Sequence, residues 1–429
     1  MVKEKKINLI SANMGYGHQR AAYPLLKLSG DEIITINDYK GIPDWEREYW
    51  IKNLEAYEKV SRFKKVPLIG GVVFSVMDYF QRIKPFYPVR DLSKPTLQQL
   101  YFFKLIKKGL GKDLMDKLSK TELPLVTTFF VGMYMAEEHN YRGNIYAIVC
   151  DADISRAWAP IYPKRSRTKY LVPNNRVKER LVMYGVKDKN IFITGFPLPL
   201  ENIGDKQEVL KEDLSRRIMS LDVSGVYRKK ERVLLKKILP DVSDKLSKKA
   251  INITFAVGGA GAQKEIGKEI VTRLSSQIRE GKIVVNLVAG IREEVKNYFE
   301  KVIEDSKLEL NRQVNIIFHE KKIEYFKLFN RTLRKTDILW TKPSELSFYS
   351  GLGLPIIMSE TVGSQEDFNR DWLISIGAGI DSKDIRYVNE WLPDMLESGR
   401  LARAAMDGFM NAENQGAYNI ENIILKNKI

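Results

Sequence analysis

Hydrophobic residues along this chain come in short continuous runs, separated by stretches where they recur every three or four positions. Residues 6–12 (KINLISA) form such a run and predict a buried strand. Past Asn13-Met14-Gly15-Tyr16-Gly17-His18, the residues Ala21, Ala22, Leu25 and Leu26 recur at helical spacing, and 31–36 predict a second strand. A strand, a glycine turn, a helix and another strand open a doubly wound domain. Strands are predicted again at 124–130, 145–150, 170–172 and 191–194, with a helix over 177–184.

Residues 40–120 interrupt this rhythm. They are helical, aromatic and basic, with Trp45, Tyr49, Trp50 and Tyr57, an apolar stretch over 66–77, then Tyr79, Phe80, Phe86 and Tyr87. They read as an insertion on the first domain. Residues 199–249 carry a helical register (Leu210, Leu214, Ile218, Val233, Leu234, Ile238) among many charges, and read as a linker. A second α/β unit opens with a strand at 251–257, turns at Gly258-Gly259-Ala260-Gly261, and runs into one helix through Ile266, Ile270, Leu274 and Ile278. More strands are predicted at 283–289, 314–318, 337–340 and 355–358, and helix over 388–429. The expected organisation is an acceptor domain over 1–198, the charged linker 199–249, a nucleotide domain over 250–400 and a terminal helix over 401–429 packing back on the first domain.

Length and charge narrow the picture. The chain has 429 residues, too many for one ordinary α/β core. Its 70 Lys+Arg against 54 Asp+Glu leave a net charge of +16, which favours an anionic partner. The cations are scattered, and no RNA-binding or helix-turn-helix pattern accompanies them, so nucleic acid is not expected. The single cysteine, Cys150, excludes an internal disulfide and ends an apolar run, so it reads as a buried structural thiol. No run reaches the roughly 18 apolar residues that span a bilayer. The expected place is the cytoplasm, peripheral on a membrane. The 66–77 stretch, flanked by Lys64, Lys65, Arg82 and Lys84, suits an interfacial helix on anionic lipid, or equally an ordinary buried hairpin.

Five clusters carry candidate chemistry. Gly15-x-Gly17-His18 lies between strand and helix, where glycines admit a ligand to the backbone and a helix start attracts an anion. His18 then stands at the mouth of a site. Gly258-Gly259-Ala260-Gly261 repeats the arrangement, and the pair of turns points to phosphate or diphosphate. In Thr341-Lys342-Pro343-Ser344-Glu345, Ser344 can cap a helix and Glu345 can accept bonds from ribose hydroxyls, or merely complement the helix dipole. In Gly363-Ser364-Gln365-Glu366-x-x-Asn369, Ser364 can cap, while Gln365, Glu366 and Asn369 suit the hydroxyls of a sugar. Asp151, at the end of a predicted strand, can help take a proton from an acceptor hydroxyl; a cap or an ion pair with Arg156 explains it equally. We place Arg292 in the donor-binding set as well.

The order of these motifs resembles the diacylglycerol glycosyltransferases of the monogalactosyldiacylglycerol synthase group. The likeness rests on Gly15-x-Gly17-His18-x-x-Ala21-Ala22, Asp151, Trp158, Tyr170-Leu171-Val172-Pro173 and Ile193-Thr194-Gly195-Phe196-Pro197 in the first half. In the second it rests on Gly258–Gly261, Ala289-Gly290, Thr341-Lys342-Pro343, Gly353-Leu354-Pro355, Gly363–Asn369 and Gly377-Ala378-Gly379. It leaves out 40–120 and 200–250. The resemblance implies a GT-B fold, two Rossmann-like domains facing a central cleft. It also implies a UDP-sugar donor as co-substrate with no cofactor and no required metal, and an inverting single displacement onto an acceptor hydroxyl, such as that of diacylglycerol. It makes His18 and Asp151 candidates for activating the acceptor, assigns Gly258–Gly261 to the donor diphosphate, and Gln365, Glu366 and Asn369 to the sugar. Three departures stand out. Arg156 replaces a usual histidine, Ser344-Glu345 a usual glycine pair, and Phe348-Tyr349-Ser350 offers no carboxylate where the family has a ribose-binding Glu. Alternatives are another GT-B enzyme (a UDP-sugar epimerase or a transferase to a soluble acceptor) and an inactive nucleotide-sugar-binding relative. Gly259→Val is expected to abolish transfer in a folded protein; calorimetry that finds unchanged donor affinity would remove the diphosphate assignment.

Overall fold

Among the described residues the strands form two six-stranded sheets, and every strand pairing in both is parallel. The structure, a computed structural model, describes residues 5–52, 83–239, 242, 249–257, 261, 263–361 and 363–426. The apolar stretch 66–77 and the residues Gly258, Gly259 and Ala260 lie outside them. The chain divides into two compact units: Met1–Pro197 with Gly363–Phe368 and Gln415–Ile429, and Leu198–Val362 with Asn369–Asn414.

In the first unit the strands are β1 (Asn8–Ser11), β2 (Ile34–Thr35), β3 (Leu125–Thr127), β4 (Ile145–Ile148), β5 (Lys169–Val172) and β6 (Ile191–Ile193), in the spatial order β2-β1-β3-β4-β5-β6. β1, β3 and β4 are buried at every position, because crossover helices cover both faces of a parallel sheet. The helix after the first glycine turn is shorter than its spacing predicts. It runs as Gly17–Ala22 and then tightens to a 3-10 helix, Tyr23–Ser29, where Pro24 has no N–H to give. The described part of the insertion contains the helices Leu97–Lys107 and Lys112–Leu118. Leu110, Leu114 and Met115 join the same buried cluster as Ile10, Leu125 and Val172.

A charged pair sits inside this unit. Asp153 and Arg180 are both almost wholly buried and bonded through two contacts, Nε to Oδ1 at 2.9 Å and Nη2 to Oδ2 at 2.7 Å. Close bidentate geometry offsets the cost of removing both charges from water.

The second unit holds β7 (Ile251–Ala256), β8 (Ile283–Gly290), β9 (Val314–Phe318), β10 (Ile338–Thr341), β11 (Ile356–Met358) and β12 (Gly379–Asp381) in the order β12-β11-β10-β7-β8-β9. β12 was not expected; a three-residue edge strand that itself begins on a glycine has too few apolar positions to show a period. The helix after the glycine turn breaks at Leu274 into Lys264–Arg273 and Ser275–Arg279. The terminal region 401–429 is two helices rather than one. Arg400–Asn411 belongs to the second unit, packing on the helix Glu208–Leu221, and Gly416–Lys426 belongs to the first. There Asn419 donates to the Thr194 carbonyl, and Gly416 lies so close to the Phe196 carbonyl that an added Cβ would come within 2.2 Å of it.

Residues 199–249 are not a free linker. Leu210, Leu214, Ile218 and Leu221 of the helix Glu208–Leu221 are fully buried, and Arg217 reaches three main-chain carbonyls: Thr336 at 2.6 Å, Leu352 at 2.6 Å and Leu333 at 2.9 Å. Burial pushes the Arg217 guanidinium down to about 10, so it is still charged at neutral pH. The charges that suggested a linker are in part these internal bonds. Arg217→Met orphans three buried carbonyls, at about 1–3 kcal/mol each. Urea unfolding is expected to show a loss of about 3 kcal/mol or more; a near-silent substitution would mean that the helix is only loosely attached.

Candidate functional site

Parallel strands send all their carboxyl ends to one edge, and the turns leaving that edge diverge where the strand order reverses. In the second unit the reversal falls between β7 and β10. Their last paired residues are Ala256 and Thr341, and Thr341 Oγ1 donates to the Ala256 carbonyl at 3.2 Å. The turn 257–261 and the loop Lys342–Glu345 therefore start side by side.

Gly261, the described end of the glycine turn, has φ +70°, a left-handed backbone that glycine adopts without strain. A Cβ there would meet Val295 Cγ2 at 3.0 Å and Arg292 Cδ at 3.5 Å. Gly261 thus lies directly against Arg292, which precedes the helix Glu293–Asp305 and pairs with Glu294 at 3.3 Å. Gln263 donates to the Glu360 carbonyl at 2.9 Å, tying the turn to the segment that follows β11.

Ser344 precedes a 3-10 helix, Glu345–Leu352, and has the extended backbone of a cap residue (φ −126°, ψ −152°), but its side chain makes no capping bond. The expected cap is therefore absent, and Glu345 is the first helical residue, half-buried. Phe348, Tyr349 and Ser350 are buried, with Phe348 packed on Trp372 at 4.8 Å and Tyr349 on Phe329 at 6.2 Å. Packing occupies these positions, which explains why no carboxylate stands there.

Ser364 is also not a cap. The helix is Ser364–Ser375, and the carbonyl of Gly363 accepts from Glu366 N at 3.0 Å, so Gly363 holds the cap position and Ser364 the first turn. Gln365 and Glu366 follow, half-buried. Asn369 is fully buried, and its amide donates to the Pro343 carbonyl at 3.5 Å. It joins this helix to the β10 loop, so one site residue helps place another.

The first unit repeats the arrangement between β1 and β3. Gly15 is exposed with φ +95°, and a Cβ added to it would meet no heavy atom within 4 Å. The conformation demands glycine while the space beside it stays open. Gly17 begins the helix and His18 follows. His18 Nδ1 lies 2.6 Å from the Thr128 carbonyl oxygen, just beyond β3, and its ring meets Phe129 edge-on at 4.9 Å. Cys150 is buried, and its thiol reaches the same carbonyl at 3.6 Å. Asp151, half-buried, follows it at the end of β4. Asn174 fastens this segment, donating to the Ala152 carbonyl at 3.0 Å while capping the helix Asn175–Met183. His18 and Cys150, the residue before Asp151, thus both approach the Thr128 carbonyl at one sheet edge.

Arg156 takes no part in an ion pair with Asp151. Its guanidinium donates to the carbonyls of Ser93, Ala159 and Pro160 and lies over the Tyr184 ring. Burial lowers its pKa. It braces the loop after β4, and the carboxylate–arginine pair of this region is Asp153 with Arg180. Sequence spacing missed Thr128, because a main-chain carbonyl carries no residue signature. Among the described residues no three His, Cys, Asp or Glu side chains stand close enough to hold a metal ion, and no helix is long and apolar enough to cross a membrane.

Comparison with known proteins bears on this geometry. A family described as a domain of unknown function, DUF6938, matches residues 219–311 and 291–424. The processive diacylglycerol β-glucosyltransferase of Bacillus subtilis (strain 168) is 22% identical over 389 residues, covering 89% of this chain and 84% of that protein. The protein of the same name from Bacillus pumilus (strain SAFR-032) is 21% identical over 390 residues, with the same coverage. The crystal structure of MurG from Acinetobacter baumannii superposes with a TM-score of 0.52 at 11% identity, covering 99% of this chain and 100% of MurG. Two parallel Rossmann-like sheets and these similarities together give the chain a GT-B fold and a low-identity likeness to the diacylglycerol β-glucosyltransferases.

Proposed function

We propose that the chain transfers a hexose from a UDP-sugar to an acceptor hydroxyl on a lipid such as diacylglycerol, by inverting single displacement. The observation that carries this reading is the gathering of Gly261, Arg292, Glu345 and Asn369 at the strand-order reversal of the second sheet. In this reading the second unit binds the donor. As the glycosidic bond breaks, negative charge builds on the leaving diphosphate, and in this reading the glycine turn that ends at Gly261 meets it, with Arg292 beside Gly261. The transfer then needs no metal and no cofactor. His18 takes the proton of the acceptor hydroxyl, and Asp151 supports that transfer.

A lipid acceptor draws support from the names of the relatives and from one surface of the first unit. On the helix Leu97–Lys107 the residues Leu97, Leu100 and Tyr101 are exposed beside Lys104 and Lys107. Lys108 extends the basic end, and Tyr162 is exposed beside Arg165. Apolar and aromatic side chains bordered by cations match the interface of an anionic bilayer.

Three measurements test the reading. UDP or a UDP-sugar is expected to raise the melting temperature in a thermal-shift screen against GDP and its sugars, since a ligand of the native state stabilises it by mass action; a flat response to all of them removes the donor assignment. His18→Ala is expected to lower kcat by about a hundredfold or more while donor affinity changes less than about twofold; equal loss of both would make His18 a donor ligand. Sedimentation with phosphatidylglycerol vesicles is expected to fall in Leu97→Glu/Tyr101→Glu, and binding that ignores anionic lipid would count against the membrane surface.

A further inference from the structure

Resting on the reading of His18 as the base, we infer that the turn Thr127–Phe129 is its positioning element, holding the imidazole in the Nδ1–H form so that the ring's lone pair on Nε2 is the one that takes the acceptor's proton. A carbonyl oxygen can only accept. At 2.6 Å from the Thr128 oxygen, His18 Nδ1 must therefore carry the proton, which leaves the lone pair of the neutral ring on Nε2.

The turn is built to keep that carbonyl in place. Thr128 is fully buried; its N–H donates to Ile10 O at 3.2 Å, and its hydroxyl donates to Ser11 Oγ at 3.0 Å, so both are tied to β1. On the preceding residue, Thr127 Oγ1 accepts from Phe129 N at 3.2 Å and donates to Phe129 O at 2.7 Å. Gly132 fits over this hydroxyl only because it lacks a Cβ, which would lie 2.5 Å from it. The Phe129 ring then sets the plane of the imidazole through its edge-on contact.

The other two of the chain's three histidines serve as internal references. His139 turns Nε2 to the Leu110 carbonyl at 2.9 Å, and His319 accepts from Lys321 N on Nδ1 at 3.0 Å. Both contacts require the opposite form, with the proton on Nε2. His18 alone is expected to be Nδ1–H.

Imidazole 1H–15N correlation spectra at about pH 8.5, where an ordinary histidine is neutral, read this directly on the full chain. One of three rings is expected to be protonated on Nδ1, and its signals are expected to vanish in His18→Gln. Thr128→Val keeps the carbonyl and the side-chain size but removes the tether to Ser11. It is expected to lower kcat about tenfold with the donor KM within about twofold, and Thr128→Ser to restore turnover. An Nε2–H form for His18, or a Thr128→Val protein with wild-type kcat, overturns the inference. Absence of turnover with every sugar nucleotide would sink the proposed transfer instead, since the tautomer is read on the resting protein.

Discussion

Parallel pairing of strands that are not neighbours in sequence is the constraint on which both units depend. β1 lies between β2 and β3, and β7 between β8 and β10. At each of these places the chain must leave adjacent strand ends in opposite directions. The edge opens there, and the backbone cannot close it with its own hydrogen bonds. Each opening receives a turn with a left-handed glycine, Gly15 in one unit and Gly261 in the other.

What gathers at the two openings differs in chemistry. The first holds His18, beyond β1, and Asp151, beyond β4 and next to Cys150; His18 and the Cys150 thiol both approach the Thr128 carbonyl. That suits proton transfer. The second holds a turn, an arginine, a carboxylate and amide groups, which suits a phosphate and hydroxyl-rich ligand. In each, side chains bonded to main-chain carbonyls keep the loops in place: Asn174 on Ala152, Arg156 on Ser93 and Pro160, Asn369 on Pro343, Gln263 on Glu360. A loop carbonyl taken out of water needs such a partner, and a long polar side chain supplies it without further secondary structure.

Buried arginine recurs for the same reason. Arg156 and Arg217 are almost wholly buried without a carboxylate in direct bond, each spread over several carbonyls; Arg180 instead faces Asp153. A guanidinium offers five donors in one plane, so it can join several chain segments at once. Positions that look like surface charge along the sequence are therefore in part internal braces, which is how the helix Glu208–Leu221 came to read as a linker.

The sequence by itself determined the doubly wound class, most of the strands and the two glycine turns, because apolar runs between turn residues must be buried whatever their neighbours. It also marked His18, Asp151, Glu345 and Gln365 as groups at strand or helix ends. Only the tertiary structure decided which loop faces which. It set Thr128 against His18 and Pro343 against Asn369, put Gly363 rather than Ser364 at the helix cap, and parted the two helices after residue 400 between the units. Those outcomes rest on main-chain carbonyls and on strand order. A carbonyl is the same at every residue, and strand order is a long-range choice, so neither leaves a mark on local spacing.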